Sequence, residues 1–156
     1  MFIANYEQDA LYRNKGNGEF ENITNALGVQ EKEWGAAAAF FDYDRDGDLD
    51  LFVCNYVRWS PELDRQLECT LVGGKVRAYC RPDAFEGTFP YLYRNDGGGK
   101  FTDVSAEAGV QVRNANTGVP VGKSLGVVPV DIDGDGWLDL VIANDTVQNF
   151  LFHNRQ

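Results

Sequence analysis

The chain has 156 residues, 44% of them hydrophobic, and a formal charge of -10. That is enough apolar material for the core of one modest domain and argues against wholesale disorder. No apolar run approaches the roughly 18 residues of a membrane span, and no basic patch offers a nucleic-acid footprint.

The chain opens on Phe2-Ile3-Ala4-Asn5, read as the second strand of an incomplete unit. Leu11-Tyr12-Arg13-Asn14-Lys15-Gly16-Asn17-Gly18-Glu19-Phe20 follows and continues to Gly28-Val29. Its Asn-x-Gly turn separates two strands, the later one covering Phe20 to Ile23. Glu31 to Phe41 contains four alanines and could be helical on propensity. Its counterpart, Leu125 to Val130, holds Pro129 among three valines, which argues against a helix. A strand at Ala36 to Phe41 is therefore expected, and Pro129 points to an edge position.

Asp42-Tyr43-Asp44-Arg45-Asp46-Gly47-Asp48-Leu49-Asp50 comes next, and its pattern D-x-D-x-D-G-x-L-D recurs at Asp131-Ile132-Asp133-Gly134-Asp135-Gly136-Trp137-Leu138-Asp139. Carboxylates two residues apart, with a Gly at a sharp turn, suit Ca²⁺ and its 6–8 hard oxygen ligands. The two loops hold nine of the 24 acidic residues, which leaves 15 against 14 basic ones, so the net charge is concentrated there. Two bound Ca²⁺ would bring the total to about -6.

Leu51 to Cys54 and Leu140 to Ala143 read as the strands that leave these loops. An insertion, Val57 to Pro90, follows only the first. In it Cys69 and Cys80 enclose ten residues. They form either a local disulfide, worth roughly 3 kcal/mol by chain entropy, or two reduced thiols; the disulfide is the expectation, and Zn²⁺ lacks further Cys or His nearby. Cys54, in an apolar run, is expected to be a buried inert thiol. Tyr91 to Arg94 and Phe101 to Val104 repeat the earlier pair of strands, with Gly97-Gly98-Gly99 as a hairpin turn. The connector from Ala106 to Lys123 leads to the second acidic unit, and a third copy begins at Leu151-Phe152-His153-Asn154.

Self-similarity at this scale means a repeat array. The expected fold is all-β, built of four-stranded antiparallel sheets as blades of a β-propeller. Residues 1–29 would end one blade, 30–105 would form a blade with the insertion at 57–90, and 106–156 would begin the next.

L-Y-R-N-x-G-x-G-x-F, A-G-V, F-D-Y-D-x-D-G-D-L-D-L and C…G…V…Y-C-R-P together resemble the FG-GAP/VCBS repeat family, the blades of integrin-α-like propellers. The wording is similar to bacterial secreted proteins of the ASPIC/UnbV group. The resemblance implies a ring of seven blades, of which this sequence would be a fragment, with any export signal upstream. It also implies one structural Ca²⁺ per acidic loop, two in all. The ligands would be Asp42, Asp44, Asp46 and Asp50 with the carbonyl of Asp48, and Asp131, Asp133, Asp135 and Asp139 with the carbonyl of Trp137.

Rival readings are weaker. An EF-hand needs a bidentate Glu at loop position 12, where Val53 and Ile142 stand. Catalysis by the carboxylates fits poorly with their duplication, so no catalytic residue is assigned. His153 aligns with Arg13 and Arg94 and is expected to be an exposed, variable position. Asn22 and Asn144 fit glycosylation sequons, but Asn22 is matched by Asp103, which favours a structural polar role. Of Trp34, Trp59 and Trp137, only Trp59 is a ligand candidate; Trp137 is expected to shield its loop.

Strand order puts the acidic loops on one face and both the insertion and the connector on the other. Function is expected on that other face, where Arg58, Trp59, Arg65, Lys75, Arg77, Tyr79 and Arg81 mix cations with aromatics. The expected function is a calcium-stabilised extracellular or periplasmic module for adhesion or for a protein or glycan ligand. The alternatives are a non-catalytic scaffold of a secreted polysaccharide-active enzyme and a purely structural array.

Overall fold

Ten strands are present among the residues that the computed structural model describes, 1–28, 33–71 and 74–155. The expected blade boundary at 29/30, Val29, and Glu31 at the head of the Ala-rich run lie outside those residues, as does Gln156.

The strands form three antiparallel sheets. The first contains β1 (Phe2–Ile3), β2 (Ala10–Gly16) and β3 (Glu19–Asn22) in that order. The second contains β4 (Gly35–Phe41), β5 (Asp50–Asn55), β6 (Tyr91–Asn95) and β7 (Phe101–Asp103), again in chain order. The third contains β8 (Ser124–Val130), β9 (Asp139–Asn144) and β10 (Phe150–Phe152). This is the expected propeller-blade pattern, four strands in the central sheet and three in each neighbour. The Ala-rich run is a strand, and β8 with Pro129 is an edge of its sheet, as the sequence indicates.

Side-chain alternation explains why the sheets stack. Leu51, Phe52, Val53 and Cys54 on β5 are all buried. Successive residues on a strand face opposite ways. Leu51 and Val53 join Leu11, Tyr93 and Phe101, which come from the first and second sheets. Phe52 and Cys54 join Phe41, Leu92, Leu140 and Ile142, which come from the second and third. A strand wetted on neither side reads as an unbroken apolar run, which is what the sequence presents at 51–54. Each such large side chain contributes about 1.5–3 kcal/mol by burial.

The insertion is less irregular than the sequence suggests. Ser60 accepts a hydrogen bond from the Leu63 N–H at 3.1 Å and caps α1 (Pro61–Gln66), whose first residue is a proline. The Ser60-Pro61 start has no second copy in the chain to set beside it.

Candidate metal centres and the face opposite them

Each acidic loop joins the first two strands of its sheet, β4 to β5 and β8 to β9. Gly47 and Gly136 adopt φ of 92° and 89°, the left-handed region in which a Cβ is strained. That turn lets Asp42 accept from the Gly47 N–H at 3.1 Å and Asp131 from the Gly136 N–H at 2.9 Å. Asp44 and Asp133 accept from the N–H groups of Asp46 and Asp135, and Asp46 and Asp135 accept from those of Asp48 and Trp137.

The last Asp of each loop is different. Asp50 and Asp139 are buried. Asp50 accepts from the N–H of Tyr43 at 2.9 Å and of Asn95 at 2.8 Å. Asp139 accepts from Ile132 at 3.1 Å and from Asn154 at 2.8 Å. The Asn of each L-Y-R-N-type element completes the strap: the Asn95 side chain donates to the Leu49 carbonyl at 3.2 Å, and that of Asn154 to the Tyr43 carbonyl at 2.8 Å. This bracing role of Asn95 and Asn154 was missed in the sequence, although their recurrence four positions into the element was visible.

Oxygens of Asp42, Asp44 and Asp50 lie within 4.8 Å of one another, as do those of Asp131, Asp133 and Asp135. The Asp46 carboxylate falls outside the first group, and the atom expected of Asp48 is its backbone carbonyl, not its carboxylate. Asp139 instead converges with Asp133 and His153, whose Nε2 is 3.0 Å from an Asp133 oxygen. His153 is therefore half-exposed but engaged with the loop. Burial pushes the Asp50 carboxyl up, the Asn95 and Tyr43 N–H groups oppose this, and Asp44 and Asp46 push it further up by repulsion. The Asn154 and Ile132 N–H groups hold Asp139 below the usual carboxylate range. Clustered hard oxygens with mutual repulsion are a fitting donor set for a hard divalent cation.

The two loops also touch. The Arg45 guanidinium lies 5.1 Å from the centre of the Trp137 ring. Trp137 thus links one loop to the next.

On the other side, Cys69 and Cys80 are joined in a disulfide that closes a small hairpin, with Thr70 bridged to Arg77. The insertion is tied to the third sheet by Lys123, whose Nζ donates to the Pro82 carbonyl at 2.7 Å, and by a Thr88–Gly122 bridge. Tyr56 donates to Asp145 at 2.6 Å. The insertion's return also brings Trp59 to Trp34, their ring centres 5.7 Å apart at 64°, with Tyr6 and Tyr56 packed edge-on against Trp34. Trp59 thus has company that sequence spacing could not reveal. Asn22 accepts from both the N–H and the hydroxyl of Thr24, and Asp103 does the same for Ser105, the structural role expected of that position. Cys54 is fully buried and unpaired.

A family model described as FG-GAP-like repeat matches residues 1–53 and 84–142. The chain belongs to the FG-GAP-like repeat family. The match passes over 54–83 and ends at 142, so it covers the first sheet, most of the second, both acidic loops and the start of β9, and omits most of the insertion and β10. A comparison with curated proteins returns no match. In this FG-GAP-like chain no helix among the described residues is long and apolar enough to cross a membrane.

Proposed function

We propose that this chain is a calcium-stabilised propeller module that acts outside the cytoplasm by binding a protein or glycan partner through the insertion-bearing face, without chemistry of its own. The repeat wording extends the family assignment to the VCBS and ASPIC/UnbV types and to a seven-bladed ring built with further blades. The carrying observation is that acidic clusters occur twice, each in the loop between the first two strands of its sheet. Duplication of this kind suits a structural ion and not a single reacting centre. Asp42, Asp44 and Asp50 would hold one Ca²⁺; Asp131, Asp133 and Asp135, with Asp139 behind them, would hold the other. The ion would supply charge neutralisation and cross-linking of the loop. The Cys69–Cys80 disulfide fits an oxidising compartment.

The test is thermal unfolding of the purified chain in Ca²⁺ and in EDTA. EDTA should lower the melting temperature and added Ca²⁺ should restore it, as expected when an ion binds only the folded state. Superimposable curves would overturn the calcium assignment.

A further inference from the structure

We infer that the hollow between the insertion and the start of β4 is a binding site for a neutral sugar ring; the inference rests on the interaction role proposed above and specifies its ligand. The hollow measures about 660 Å³ and is lined by Trp34, Arg58, Trp59, Ser60, Glu33 and Glu86, among others. That volume lies in the range of roughly 300–1,000 Å³ typical of small-ligand sites.

Three features of the lining select the ligand. First, Trp34 and Trp59 both line the hollow and meet edge to face, with Tyr6 packed edge-on against both and Tyr56 against Trp34. An indole face is the natural seat for the C–H face of a pyranose, flat and apolar, with a polar N–H at its edge. Second, the rim offers donors and acceptors together. The Arg58 guanidinium and the Glu86 carboxylate stand 3.5 Å apart, with side chains 75% and 55% exposed. An exposed pair so loosely held contributes little by itself, and a sugar hydroxyl, both donor and acceptor, can bridge it. Third, charge discriminates. Glu86 is paired with Arg58, and Glu33 adds a second carboxylate to the lining, which disfavours uronates, sulfated sugars and phosphates.

The place in the fold agrees. Arg58 and Trp59 belong to the stretch that the family pattern passes over, whereas Glu33, Trp34 and Glu86 lie within it, so the site takes residues from the insertion and from the repeat. Trp34 stands at the head of the inner strand, where the next sheet has Lys123. Only the blade with the insertion presents the aromatic pair.

The experiment is calorimetric titration of the intact chain in Ca²⁺ with cellotriose, maltotriose, xylotriose, mannotriose and triacetylchitotriose, and separately with choline and heparin. At least one neutral trisaccharide should bind saturably, with a dissociation constant below about 1 mM. Trp59→Ala and Arg58→Ala should each weaken that binding by about tenfold or more, while Lys100→Ala on the opposite face should not alter it. Arg58 is exposed, so its variant remains informative if Trp59→Ala fails to fold. Binding of no trisaccharide, binding of choline or heparin in their place, or wild-type affinity in both variants would overturn the inference. A Ca²⁺-dependent melting curve alongside such a result would leave the calcium-stabilised module standing and remove only the sugar site.

Discussion

Asp50 and Asp139 each spend both carboxylate oxygens on backbone N–H groups from two different segments. An asparagine has one acceptor oxygen, so Asp139→Asn would leave a buried N–H facing an amide donor. The expected cost is about 1–3 kcal/mol, read by urea unfolding, and it should exceed the effect of Arg77→Ala in the exposed hairpin. Cys54 gives a second residue-scale expectation. Burial pushes its thiol up to about 12 from an ordinary 9.0. The folded chain thus keeps a proton that the unfolded chain loses, so this contribution is intact below pH 9 and declines as pH rises toward 12. At pH 8 a thiol reagent should find no reactive group in the native protein and one per chain after denaturation without reductant. Two reactive native thiols would contradict the disulfide. The residues that the sequence revealed were those repeated in its own pattern. His153 was set aside because Arg13 and Arg94 replace it, and alignment within a repeat conceals what one copy does alone.

At the scale of elements, Gly87 is where the insertion meets the connector that leads into β8. A Cβ there would lie 2.4 Å from the Gly122 carbonyl and 2.8 Å from the Val121 carbonyl carbon. Backbone cannot step aside as a flexible side chain can, so Gly87→Ala should cost about 1–3 kcal/mol as overpacking does, measured by chemical denaturation. Gly47→Ala has open space around it and fails for another reason, its φ of 92°. The strands were legible because alternation and repetition agreed on them. The helix Pro61–Gln66 and the Trp34–Trp59 pairing were not, because an insertion has no second copy to compare and its tertiary return is non-local. Reduction of Cys69–Cys80 should accordingly make cleavage by trypsin at Lys75 and Arg77 faster while leaving the blades folded, which limited proteolysis would show.

Across the whole molecule, the acidic loops leave the second and third sheets at one end of the strands, and the insertion leaves the second sheet at the other. Ion removal should therefore loosen binding at the insertion only through loss of the fold, and partner affinity should follow the folded fraction as EDTA is added. Affinity that falls before the melting signal changes would indicate a direct role for the ion. The central sheet carries both faces of this arrangement, since β5 packs against one neighbour with Leu51 and Val53 and against the other with Phe52 and Cys54. Truncating Phe52 to alanine should cost about 3–5 kcal/mol, read by chemical denaturation.

Arg45 over Trp137, and the Asn154 side chain on the Tyr43 carbonyl, join the first acidic loop to elements more than ninety positions away. In a linear array each unit ordinarily senses its neighbour through the packed interface alone. Here the acidic ends are joined as well, so on the calcium proposal one loop closing would restrict the next before that one has filled. Titration with Ca²⁺ should then be cooperative, steeper than two independent sites allow, and Arg45→Ala should flatten it without abolishing either binding event.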